Sequence, residues 1–193
     1  MKSIRIERAE DIERAIRDFR IITKCPDFRY ASIIRNDHIF CVCDIVFHHI
    51  FRTIIFYFRM VICSVALIIP ECELKNNIFR LTGVTIGKNV SIAPGVFLDP
   101  FFPEFIEIED HCFLGIGCKI MTHEFTASKF RFGKVRIGTG SVIGAWSVVR
   151  SGVIIGKRAT TGFMSLVNRD VPDGDVVAGI PARSILENRE AKS

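Results

Sequence analysis

The sequence predicts a mainly β protein wound as a parallel β-helix, with an apolar helical arm ahead of it. Three observations carry this reading. From Val84 to Pro172 an aliphatic residue returns every six positions, usually with glycine behind it. Three such hexads make an 18-residue turn of chain, so each turn can stack on the last and bury its aliphatic knob inside a prism. The period breaks only twice, and each break reads as an excursion from a coil that then continues.

Taken in order, residues 8–20 read as a helix. Ile12, Ala15, Ile16 and Phe19 share one stripe, and Glu10–Arg14 and Glu13–Arg17 are i,i+4 ion pairs. Residues 38–70 form the apolar arm, which after His38 is interrupted by Asp44, His48, His49, Arg52 and Arg59. A membrane span needs roughly 20 apolar residues, and a central arginine costs about 2.5–3.5 kcal/mol. Thr53 to Ile69 is 17 residues with Arg59 inside it, just short on both counts. Three readings compete: a helix packed on the coils or on a neighbouring subunit, a helix making peripheral contact with a membrane surface, or a true span. From Glu71 to Leu81 the chain turns polar and joins the coils.

The knobs then follow in threes. Ile86, Ile92 and Leu98 fill the first coil, and Ile108, Leu114 and Ile120 the second. Ile137, Ile143 and Val149 fill the third, and Ile155, Thr161 and Val167 the fourth. The first break, DPFFPEF after Leu98, bulges out. The second, HEFTASKFRFGK before Ile137, must leave the prism as a loop. Beyond Pro172 the tail abandons the period and becomes a cap with a charged end. The chain thus divides into an arm (1–80), the coils (81–172) and a cap and tail (173–193).

Composition bounds the function. A chain of 193 residues is one domain, or one with an appendage. Its 26 basic and 21 acidic residues leave a net charge of +5, scattered without a run of like charge, so nucleic acid is not implied as a partner. Hydrophobic content of 49% and mean hydropathy of +0.31 are high for a soluble protein of this size. The seven cysteines show no CxxC pair and no zinc-type spacing, which suits reduced thiols in the cytoplasm. The N-terminus is charged throughout and has no apolar core of a signal peptide.

Chemistry is expected where the period fails. His123 sits at the last hexad before the second break, where a neutral imidazole can take a proton from an attacking hydroxyl or amine. Glu124 follows it, but on an extended strand the two face opposite ways, so it aids His123 only if the chain kinks. Asp99 stands at the first break, where most coils carry glycine or alanine. Its two readings are a turn-forming Asp-Pro and a carboxylate that binds the acceptor hydroxyl. His111 and His123 are the only histidines in the coils, too few for the three-histidine zinc site of gamma-class carbonic anhydrases, so no metal is expected.

The hexads, the THEFT histidine and the closing NRDVPDGDVVAGIPAR together resemble the hexapeptide-repeat acyltransferases, over roughly residues 80–186. Galactoside, maltose, xenobiotic and polysaccharide O-acetyltransferases share this pattern. The resemblance implies a left-handed parallel β-helix, a homotrimer with its sites between subunits, and acetyl-CoA as donor. His123 matches the family's catalytic histidine. Ala145 and Phe163, 18 apart, match the lane of the pantetheine arm, with Trp146 beside it. Asn168 and Arg169 match positions near the far end of the cofactor, and Arg183 matches a basic residue that reaches the nucleotide phosphates. Phe163 and Met164 are bulkier than the family pattern. The expected function is a CoA-dependent O-acyltransferase acting on a small-molecule or glycan hydroxyl, with Asp99 and Glu124 on the acceptor side. A second reading is a non-catalytic trimeric scaffold that docks on a membrane or a partner through its apolar arm.

Overall fold

The computed structural model describes residues 4–5, 30–34, 50–126 and 129–185, with side chains over 54–125 and 131–185. The helix expected over 8–20 and residues 38–49 of the apolar arm lie outside them. Two short strands, β1 (Ile4–Arg5) and β2 (Tyr30–Ile34), precede helices α1 (Ile50–Ile68) and α2 (Glu73–Thr82).

Twelve strands of two or three residues then wind through three parallel sheets. Sheet 1 holds β3 (Thr85–Ile86), β6 (Ile106–Ile108), β11 (Val135–Ile137) and β14 (Ile154–Ile155). Sheet 2 holds β4 (Ser91–Ile92), β7 (Phe113–Leu114), β12 (Val142–Ile143) and β15 (Thr160–Thr161). Sheet 3 holds β5 (Phe97–Leu98), β8 (Lys119–Ile120), β13 (Val148–Val149) and β16 (Leu166–Val167). Consecutive strands lie in different sheets, and each pairs in parallel with its counterpart one coil away. This is the strand order that a β-helix produces.

All twelve expected knobs are the last residues of these strands and are at most 8% exposed. Strand alternation brings a second inward residue two positions earlier. These include Cys112, Cys118, Ser141 and Ser147, all buried. Burial pushes the Cys118 thiol up to about 12, so it acts as a small packed side chain rather than a nucleophile. The buried serines are satisfied by the next coil: Ser141 Oγ donates to Gly156 O at 2.6 Å and Ser147 Oγ to Gly162 O at 2.7 Å.

The residue after each knob turns the edge between sheets, and stacking dictates its size. A Cβ on Gly115 would stand 2.6 Å from Ala145 N, and one on Gly144 would stand 2.5 Å from Gly162 O. The edge between sheets 2 and 3 therefore carries Ala93, Gly115, Gly144 and Gly162. The edge between sheets 1 and 2 carries Gly87, Glu109, Gly138 and Gly156. There Glu109 accepts from Thr139 N at 2.9 Å and Thr139 Oγ1 at 2.7 Å, and it pairs with Arg136. Hydrogen bonds from Thr139, joined by those from Arg136 against the opposing effect of burial, bring its carboxyl down to about 2. The edge between sheets 3 and 1 has no glycine after its knobs, only Asp99, Met121, Arg150 and Asn168.

Both breaks in the period leave from that third edge. The first contains a short 3-10 turn (Pro103–Phe105). The second is a β-hairpin rather than the expected loop: β9 (His123–Thr126) pairs antiparallel with β10 (Lys129–Gly133). β10 in turn pairs antiparallel with β2, which pairs with β1. The KFRF alternation supplies the strand, and a partner from the distant N-terminal region completes the sheet.

The ends of the coil depart from expectation too. The period outlasts Pro172, for β17 (Val176–Gly179) continues sheet 2, with Thr161 opposite Val177. Val171 bridges Ile155, and both Val171 and Val177 are buried. The last turn is two residues short of 18, which takes these valines off the hexad count. β18 (Ala182–Ser184) then returns antiparallel and closes the sheet. At the other end, the polar stretch after Glu71 is helix α2, which covers the first coil. Phe79 of α2 is fully buried in the coil's core. Carbonyls of the first coil, which has no coil beneath, are satisfied by side chains of α2. Lys75 Nζ donates to Ala93 O at 2.8 Å, Asn76 Nδ2 to Val90 O at 2.8 Å, and Arg80 to the carbonyls of Ile86 and Gly87. Helix α1 packs beside it through Cys63 and Ala66, as the packed-helix reading of the arm expects. Among the described residues no helix is long and apolar enough to cross a membrane.

Because Phe79 closes the open end of the core, Phe79→Ala should destabilise the chain by about 3–5 kcal/mol, read as a lower urea midpoint with an unchanged slope.

Candidate active site

The third edge assembles the polar residues around the two breaks. Leu98 and Ile120 are ladder partners in sheet 3, so the residues that follow them turn the same edge one coil apart. Asp99 N donates to Ile120 O at 3.1 Å. Its carboxylate points along the edge into the start of the hairpin. Oδ2 accepts Thr122 N at 2.9 Å, Thr122 Oγ1 at 2.7 Å and the imidazole Nδ1 of His123 at 2.5 Å. Oδ1 accepts Phe101 N at 3.0 Å.

Asp99 is therefore not the acceptor-binding carboxylate expected of it. It is 0% exposed, and both of its oxygens are committed to the protein. Burial alone would raise its pKa. Hydrogen bonds from His123, then Thr122 and Phe101, outweigh that and hold the carboxyl below its ordinary value. An ionised Asp99 that accepts from Nδ1 fixes the imidazole in the tautomer whose Nε2 is the basic nitrogen.

Aromatic rings enclose the imidazole. Phe101 lies 4.5 Å away between ring centroids, Phe125 packs edge-on at 5.2 Å and Phe102 edge-on at 6.1 Å. Phe56 of α1 packs on the outer side of Phe101 at 4.6 Å, which ties the apolar arm to the histidine. Behind them Phe102, Phe105 and Phe132 form a stack that is nearly inaccessible. The His123 side chain keeps 11% of its surface exposed, enough to meet a ligand at one end.

Glu124 faces away from His123, as alternation on β9 requires. It is held by Arg150 through Nε at 2.7 Å and Nη2 at 2.6 Å, and by Ser151 Oγ at 2.8 Å. Burial raises its pKa, but the Arg150 and Ser151 hydrogen bonds dominate and hold it below its ordinary value. Its expected place on the acceptor side is filled by this ion pair, which pins the hairpin to the next coil.

The expected cofactor residues fall on two edges. Asn168 and Arg169 share the third edge with His123, two coils further on, or roughly 10 Å along the stack. The Asn168 Oδ1 is buried and makes no hydrogen bond among the described residues. Ala145, Trp146 and Phe163 lie on the second edge, across sheet 3 from His123. Ala145 and Phe163 stack one coil apart, with Met164 N donating to Ala145 O at 2.9 Å. Trp146, at φ 61° and 63% exposed, lays its ring over Gly117, where a Cβ would come within 2.6 Å of it. Phe163 and Met164 project outward, 79% and 68% exposed. Arg183 is exposed on β18, and His111 sits exposed at a turn with φ 60°. One chain thus brings together Asp99, Thr122 and His123, and keeps them apart from Ala145, Trp146 and Phe163. Sequence reading missed Thr122 and Phe101. The equal level of Asp99 and Met121 on one edge was the signal that could have found the pairing.

The chain is similar to known acetyltransferases in both sequence and structure. A family model described as the hexapeptide repeat of succinyl-transferase matches residues 134–162. A Bacillus subtilis (strain 168) protein provisionally named acetyltransferase YvoF is 34% identical over 146 residues, covering 74% of this chain and 85% of that one. Galactoside O-acetyltransferase of Escherichia coli (strain K12) is 33% identical over 105 residues, 54% of this chain and 44% of that protein. Among solved structures, a hexapeptide-repeat acetyltransferase of Vibrio cholerae complexed with acetyl coenzyme A shares the fold. Its TM-score is 0.60 at 18% identity, over 72% of this chain and 89% of that chain.

Hydrogen bonds to a buried charge contribute about 1.5–3 kcal/mol, so Asp99→Asn should lower stability by that order at neutral pH. The native carboxyl has the depressed pKa, so its contribution is present above the ordinary carboxylate range and is lost as pH falls through the folded value. The gap between wild type and variant should therefore narrow in acid, measured by urea denaturation from pH 7 down to pH 3.

Proposed function

The chain belongs to the hexapeptide-repeat acetyltransferase superfamily, whose members use acetyl-CoA, and we propose that it acetylates a hydroxyl of a sugar or polysaccharide. The observation that carries this reading is the Asp99–His123 pair on the edge whose knobs are not followed by glycine. Galactoside O-acetyltransferase among the relatives supports the sugar hydroxyl as acceptor.

Acetyl-CoA supplies an acyl thioester. The residues present fit such a donor. Asn168 offers a buried acceptor atom without a hydrogen bond among the described residues, which an amide N–H of the pantetheine arm would satisfy. The second edge offers an apolar surface, with the ring of Trp146 over Gly117 and Phe163 and Met164 exposed beside it. Arg169 and Arg183 are exposed guanidinium groups suited to phosphates.

His123 acts as the general base. Its Nε2 takes the proton of the acceptor hydroxyl as that oxygen bonds to the acetyl carbon, and returns it to the sulfur as the carbon–sulfur bond breaks. Asp99 holds the ring in place and stabilises the imidazolium that forms between the two transfers. Backbone amides of the coils stabilise the charge that develops on the carbonyl oxygen. The rings of Phe101 and Phe125 keep water from the imidazole.

The two sets of residues lie on different edges of one chain. A homotrimer of left-handed coils, with the second edge of one chain facing the third edge of its neighbour, would unite them. The similarity to acetyltransferases favours the enzyme over the scaffold reading.

His123→Ala should fold with unchanged circular dichroism yet lose about 10²–10⁴-fold in kcat, with acetyl-CoA affinity retained in calorimetry. The assay is transfer of labelled acetyl from acetyl-CoA to a panel of mono- and oligosaccharides. Wild-type turnover by the variant would overturn the base assignment.

A further inference from the structure

The carboxylate of Asp99 takes more donors than one for each oxygen. Both oxygens already accept a backbone amide, Phe101 N on Oδ1 at 3.0 Å and Thr122 N on Oδ2 at 2.9 Å. Oδ2 then receives two side chains as well, Nδ1 of His123 at 2.5 Å and the hydroxyl of Thr122 at 2.7 Å. Thr122 thus grips a single oxygen through two donors. The grip is itself held. Thr122 is fully buried, branching at Cβ restricts its χ1, and its carbonyl accepts Gly133 N at 2.8 Å where the hairpin closes. Just before it, Met121 N donates to Val149 O of the next coil at 3.0 Å. The torsion that turns an aspartate carboxylate is broad and soft. At Asp99 it is set from the coil and the base of the hairpin, and not by the imidazole alone.

We infer that Thr122 is a positioning residue, whose hydroxyl locks the Asp99 carboxylate in the orientation that receives Nδ1 of His123. It touches neither substrate and acts through Asp99. In the acetyl-transfer reading given above, on which its kinetic consequence rests, this lock keeps Nε2 aimed at the acceptor hydroxyl. Reaction within a preformed site is sensitive to such aim, for a misplacement of about 1 Å can cost about 10²-fold in rate. The same two-donor grip occurs at Thr139, whose N and Oγ1 donate to Oε2 of Glu109 at 2.9 and 2.7 Å. There the carboxylate also holds the guanidinium of Arg136, and the grip joins one coil to the next. At Asp99 the carboxylate holds an imidazole instead, so a device that staples coils serves to orient a base. Thr139 stands away from His123 and supplies the control for a purely structural role.

The test uses Thr122→Val in the full-length protein, which keeps the shape of the side chain and removes the hydroxyl. Its kcat for acetyl transfer should fall by about 10–10²-fold, with KM for acetyl-CoA and for the acceptor unchanged. Thr122→Ser should restore kcat, and Thr139→Val should leave it at the wild-type value. Proton NMR reads the lock directly. The Nδ1 proton of His123, identified by its absence from His123→Ala, should resonate in wild type, Thr122→Ser and Thr139→Val. In Thr122→Val it should broaden away through exchange with water. Should that variant not fold, Thr122→Ala takes its place in both measurements. Wild-type kcat without the hydroxyl, an equally sharp Nδ1 resonance, or no such resonance in wild type would each overturn the positioning role. If wild type acetylates nothing in the saccharide panel, the proposed function fails, and the Nδ1 resonance alone decides for or against Thr122.

Discussion

Stacking one coil of backbone directly on another leaves no space at the turning edges for a Cβ, and much else in the molecule follows from that. Two of the three edges obey it almost throughout. Where a larger residue does occur there, as at Glu109, it clamps the next coil through Thr139 and Arg136. The third edge escapes the restriction, and its corners carry Asp99, Met121, Arg150 and Asn168. Both insertions leave from this edge, and the polar groups that can do chemistry gather there. An enzyme built on this scaffold places its reactive side chains where the packing rule is relaxed.

A second constraint is the unpaired backbone at the ends of the coil. The first coil has carbonyls with no neighbour beneath, and three side chains of α2 reach them. Of these, Lys75 is the costly one. Burial lowers its pKa, and its ammonium is held between the carbonyls of Ile69 and Ala93. The same helical layer also serves the site. Phe56 of α1 supports Phe101, and Phe101 covers His123, so the apolar arm is part of the wall around the imidazole as well as a lid on the core.

The coils were legible because a single rule, one aliphatic residue every six, repeats twelve times, and each knob it named is buried. The rule failed where the chain departs from it by a small offset: the two-residue slip before Val171 concealed the fifth coil. His123 was legible as a position and Asp99 as an anomaly. Their pairing was not, since hexad counting shows which residues share a level but not which way a corner side chain turns. Glu124 misled because a carboxylate beside a histidine suggests cooperation, whereas strand alternation commits it to Arg150. The hairpin was hidden for a different reason. Its outer partner, β2, lies about a hundred positions away and follows no period.

That distance has a consequence for how the protein comes together. Coil partners sit one turn apart, so the stack can grow by nearest-neighbour addition, with short loops to close at each step. The sheet around His123 cannot grow in that way. Lys129 pairs with Ile34 and Gly133 with Tyr30, so its outer strand arrives from the far end of the chain. The imidazole therefore rests on the region of highest contact order in an otherwise local fold. A molecule with all of its coils in place still lacks a finished active site until its own N-terminal strand has returned to the hairpin.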